Sequence, residues 1–228
     1  MNAFALGAQV AAARLRSRTL GVLTVFGLLT VAIVALLERR TGSVLSTDRA
    51  LAGVALGLCL PALAYGVVRT ATGGKKLANS LWPMARYGQS RRRIALGVLS
   101  AATLANAGIG LVLAVLCVLC VRLPADPLLV RDALTSAWIG AAGGAAYTAL
   151  FLCGATLGRA GGGAFLLLAL DFALGAGTGV TAAIWPRAHV RNLLGGAAPL
   201  ELPQFASSAL LLALFLLLVT FATQRTPK

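Results

Sequence analysis

Six long apolar runs dominate this 228-residue chain, at 20–37, 51–68, 94–121, 133–157, 164–184 and 205–222. A helix that crosses a bilayer needs about 20 consecutive apolar residues. All six runs are apolar around the whole helix circumference rather than along one stripe, which sets them apart from core helices of a soluble domain. None alternates, which argues against the strands of an outer-membrane barrel. In lipid a helix satisfies its own backbone groups, so the runs predict an all-α membrane protein of six transmembrane helices. Only 11% of residues are charged, against about 25% in soluble domains. The expectation is a single transmembrane domain over residues 1–228, with no length left for a soluble one.

The net charge of +14 first suggests nucleic acid, but its distribution argues otherwise. With the N-terminus inside, the inner segments hold thirteen basic residues and no acid, and the outer segments hold seven basic residues and five acids. Lys and Arg concentrate on the cytoplasmic side of membrane proteins. The charges therefore predict both termini cytoplasmic in a bacterial inner (plasma) membrane, with lipid rather than nucleic acid as the partner of the basic segments. The first run ends in Glu38-Arg39-Arg40 with no small-residue cleavage site, so it reads as an uncleaved span.

Residues 3–18, AFALGAQVAAARLRSR, are apolar and then basic, the pattern of an N-terminal interfacial helix on the inner leaflet. The third span, at 28 residues, must tilt or project into the cytoplasm. Glycine pairs at four-residue spacing, Gly53/Gly57, Gly140/Gly144, Gly154/Gly158 and Gly175/Gly179, suit close helix approach. Between spans five and six, Trp185 suits an interfacial depth. His189 to Leu194, with Arg191 among them, can form a short helix that Gly195 stops. Pro199 and Pro203 delimit a second piece. These two pieces predict short re-entrant helices.

Few residues suggest chemistry. Asp171 is the one ionisable residue deep within a span, about 10 Å along its helix from Ala164. A charge there must pair or face water. Asn106, Tyr147 and Thr148 are candidate partners, and Arg159 is another, so Asp171, Asn106 and Tyr147 form a possible intramembrane polar site. Cys117 and Cys120 have metal-binding spacing, but no second pair or His accompanies them, and the cysteines read as apolar packing residues. Gly73-Gly74-Lys75-Lys76 lacks the first Gly and the final hydroxyl of a phosphate-binding loop. No catalytic constellation is visible, and the chain is read as a non-enzyme with no cofactor of its own.

Residues 81–93 read LWPMARYGQSRRR. Pro83 is tolerated in a first helical turn, and Gly88 is a good stop, so a short amphipathic helix is expected over about 81–87. Ser90 then caps the third span, and Arg91, Arg92 and Arg93 anchor its end at the headgroups. A short helix under the membrane, joined stiffly to a long span, can act as a lever.

In these features the chain resembles the membrane (permease) subunits of type-2 ABC exporters. The resemblance rests on six spans with both ends inside, the helix at 3–18, the basic stretch from Met84 to Arg93 and the irregular stretch at 185–204. It implies a cytoplasmic coupling helix between spans two and three, through which Leu81, Trp82, Met84, Arg86 and Tyr87 contact a separate ATPase. It further implies a homo- or heterodimer of permease copies, with ATP and Mg bound in the partner ATPase chains. The expected function is export of a lipid-like or amphiphilic substrate. The outer loops are shorter than in larger members, which leaves no large external partner expected. A membrane scaffold or the substrate-binding component of an uptake transporter stay open as alternatives.

Overall fold

The computed structural model describes residues 2–43, 45–86, 88–122 and 128–226. Tyr87 lies outside the described residues. Those described are helical with no strand. We number the helices α1 (Ala3–Leu15), α2 (Arg18–Arg40), α3 (Ser46–Ala71), α4 (Leu77–Ala85), α5 (Arg91–Val121), α6 (Leu129–Gly154), α7 (Gly163–Leu174), α8 (Pro186–Leu193) and α9 (Gln204–Gln224). Five of them, α2, α3, α5, α6 and α9, are long and apolar enough to cross a membrane.

The expected fifth span is the difference. Residues 164–184 are apolar but for Asp171 and two threonines, yet α7 stops at Leu174. Its 12 residues extend about 18 Å, short of the roughly 30 Å hydrocarbon core. The chain beyond α7 runs Gly175-Ala-Gly-Thr-Gly179. Each glycine favours the unfolded helix by about 1 kcal/mol relative to Ala, so a run that hydropathy carries onward is one that helix propensity ends.

α5 and α6 form the centre of the bundle. Their contact is built on backbone. A Cβ placed on Gly110 would fall 2.1 Å from the Gly140 carbonyl oxygen, and one on Gly144 would fall 2.3 Å from that of Asn106. Glycine is what lets these helices approach so closely. A Cβ on Gly154 would likewise fall 2.6 Å from Ala164 Cα, where α6 meets α7. Gly53 and Gly179, by contrast, meet nothing within 4 Å. At the opposite end of the pair, Arg122 forms an ion pair with Asp132.

α3 packs across α5 and α6, with α2 outside it. Pro61 has no N–H to donate within α3, and Arg49–Cys59 before it is wound wider, as π-helix. Of the five long helices, α2 and α9 are the least covered and show rows of exposed leucines, valines and phenylalanines. Asn2 and Ser17 cap α1 and α2 through their side chains, accepting from the Phe4 and Leu20 N–H groups. Ser90 occupies the cap position of α5 but its side chain makes no capping bond.

Candidate functional site

Two places combine unusual residues with unusual geometry. The first is the short helix α4. It begins at Leu77, four residues earlier than the sequence suggested, so Pro83 sits inside it rather than in its first turn. Pro83 therefore removes one bond near the end of a nine-residue helix, where the cost is small because few turns follow. The helix is fastened at its start, where the Leu77 N–H donates to the Ala155 carbonyl at 2.9 Å. Arg14 of α1 fastens its middle, with one guanidinium nitrogen donating to the Ala71 carbonyl and to Ser80 Oγ, each at 2.8 Å. α1 itself is locked onto α5, where a Cβ on Gly97 would fall 2.1 Å from the Phe4 carbonyl oxygen.

This fastening sets which face of α4 is free. Leu77, Ser80, Leu81 and Met84, at i, i+3, i+4 and i+7, point into the protein. Leu81 is 0% exposed and Met84 is 9% exposed. Both were expected to contact a partner; here they are core residues that bind α4 to its own bundle. Trp82, 55% exposed, and Arg86 lie on the outer face with Asn79 and Pro83. Arg91 stacks its guanidinium 4.8 Å from the Trp82 ring centroid, while Arg92 and Arg93 are exposed.

The second place surrounds the end of α7. α6 and α7 run antiparallel, with Gly154 beside Ala164 and Tyr147 opposite Asp171. The Tyr147 hydroxyl donates to Asp171 Oδ2 at 3.0 Å. Both residues are fully buried. Asn106 does not join them; its amide donates to Thr148 Oγ1 at 2.7 Å, and Thr148 in turn donates to the Gly144 carbonyl. The polar site expected from Asp171, Asn106 and Tyr147 is thus two separate pairs on successive residues of α6.

The charge that faces Asp171 is Arg187, which sequence reasoning had assigned to an outer loop. α8 brings it there. Arg187 Cβ lies 3.0 Å from where a Cβ of Gly175 would stand, and that same point is 3.1 Å from Asp171 Oδ1. The guanidinium also lies 5.1 Å from the Phe172 ring and reaches the Phe172 carbonyl at 3.5 Å.

α8 sits deep beside α6, since Val190 Cγ2 lies 3.0 Å from the Cβ position of Gly143, near the midpoint of Leu129–Gly154. Pro186 supplies its first turn, and Gly195, at φ +85°, follows its end. Arg191 ties the chain beyond α7 to that beyond α8, donating to the carbonyls of Ala176, Gly177 and Ala197. A helix end leaves carbonyls without intrahelical donors, and Arg187 and Arg191 serve those of α7 and its extension. His189 is buried between Ser207 Oγ at 3.1 Å and the Ala183 carbonyl at 2.8 Å. Asn192 donates to Ser207 Oγ and to the Leu202 carbonyl, tying α8 to α9. Trp185 is buried, not turned to lipid.

Arg14, Arg187, Asn192 and Ser207 are the residues that sequence reasoning missed. Only Arg187 carried a usable signal, as one of two arginines spaced i, i+4 on a short helix after a glycine run.

Among the described residues no group of three His, Cys, Asp or Glu could hold a metal. No protein-family model, curated protein or solved structure matches the chain.

Proposed function

We propose that the chain is the membrane-spanning permease subunit of an ATP-driven transporter of the type-2 ABC exporter kind, moving a lipid-like or amphiphilic substrate. Its ATP and Mg would be bound by separate cytoplasmic ATPase subunits, and a second permease copy would complete the pathway. The observation that carries the reading is α4, a short helix between two spans whose inner face is locked to α1, α5 and α6 while Trp82 and Arg86 project outward. A push on that outer face passes into the bundle instead of being absorbed by a loose loop. The deep placement of α8 supports the reading further, as the expected re-entrant piece between the fifth and sixth membrane elements. Six elements then traverse or enter the membrane, five as full helices and one as α7 plus α8.

The test is copurification of the tagged full chain from its native membrane. A Walker-motif ATPase should accompany it, and Trp82→Asp with Arg86→Glu should remove that ATPase while the chain stays folded. An intact chain that brings no ATPase contradicts the proposal.

A further inference from the structure

Where α5 begins and α9 ends, the bundle opens into a recess of about 650 Å³. Gln89, Ser90, Arg91, Arg92, Thr223, Gln224 and Thr226 contribute its polar groups. No acid lines it. The hydroxyls of Thr223 and Thr226 already donate to the Thr220 and Thr223 carbonyls, so they offer only acceptor lone pairs. The donors left to face a ligand are the two guanidiniums, the two amides and the Ser90 hydroxyl, which makes no capping bond. Arg91 is held in place by its stacking on Trp82 at 4.8 Å.

Two features give the ligand its class. The described lining residues carry two cations and no counter-charge, which suits an anion that accepts several hydrogen bonds, and arginine forks match phosphate oxygens. The recess also lies between the ends of two spanning helices, on the end of the bundle where the basic residues concentrate. Basic pockets of this kind between transmembrane helices hold phospholipid headgroups.

We propose that this recess binds a phosphate group, supplied by the headgroup of an anionic phospholipid. A phosphatidylcholine headgroup has the same phosphate but adds a quaternary ammonium, which finds no acid among the described lining residues and meets two arginines. The site therefore selects for net negative charge. The proposal does not depend on the transport reading, because it needs no ATPase.

The experiment melts the delipidated full chain in neutral detergent with dioleoylphosphatidylglycerol, dioleoylphosphatidylcholine or sodium phosphate. The glycerol lipid should raise the melting temperature by about 5 °C at saturating concentration, and the choline lipid should leave it unchanged. Arg91→Gln with Arg92→Gln should lose the increment; if that pair does not fold, Arg92→Gln alone, at an exposed position, should reduce it. Sodium phosphate alone reproducing the increment assigns the site to free phosphate, with the same chemistry. Equal stabilisation by both lipids, or a full increment in the variants, overturns the proposal.

Discussion

The Tyr147 hydroxyl donates to Asp171 Oδ2 at 3.0 Å with both side chains sealed from solvent. It links a full spanning helix to one that stops short. Tyr147→Phe keeps the ring stacked on Phe151, 5.7 Å away between centroids, and removes only the donor. A buried acceptor left unpaired costs about 1–3 kcal/mol. The melting temperature of the variant in detergent should fall accordingly; an unchanged value would mean the bond contributes nothing to holding α7.

Arg187 and Asp171 should behave as a coupled pair. Removing the half-buried Arg187 strands the buried Asp171, whereas removing both charges does not. Arg187→Met should thus lower stability more than Arg187→Met combined with Asp171→Asn. Additive losses in the cycle would show that the two charges act independently.

How much of this arrangement was legible in the sequence can be seen residue by residue. Hydropathy located the five long helices, because burial in lipid needs nothing but apolar length. It carried the fifth run past Leu174, since Gly, Ala, Val and Thr are apolar enough to hide a helix end. The depth of Asp171 was legible and its Tyr147 partner was among the candidates, but Arg187 was not, because only the return of α8 into the bundle places it there. In α4 the composition was read correctly as amphipathic, yet which face turns inward depended on Arg14 and Ser80, 66 positions apart.

The α5–α6 seam predicts a sharp contrast between glycines. Gly140→Ala sets a methyl 2.3 Å from the Gly110 carbonyl oxygen, forcing the helices apart at a cost of about 1–3 kcal/mol. Gly53→Ala meets nothing within 4 Å and should be neutral or slightly stabilising, because Ala is the better helix former. Parallel melting curves of the two variants check this.

Arg14→Ala frees both the Ala71 carbonyl and Ser80. The loop at Lys75 and Lys76 should then open, and trypsin should cut there faster in the variant than in the wild type. Equal cleavage rates would show that α4 is held without α1.

Photocrosslinking from single positions on α4 tests the central claim most directly. A photoreactive residue in place of Trp82, on the exposed face, should crosslink to a Walker-motif ATPase in native membranes, and the same residue in place of Leu81, on the buried face, should crosslink only within the chain. No ATPase adduct from position 82, with the protein folded and in the membrane, would contradict α4 as the docking lever.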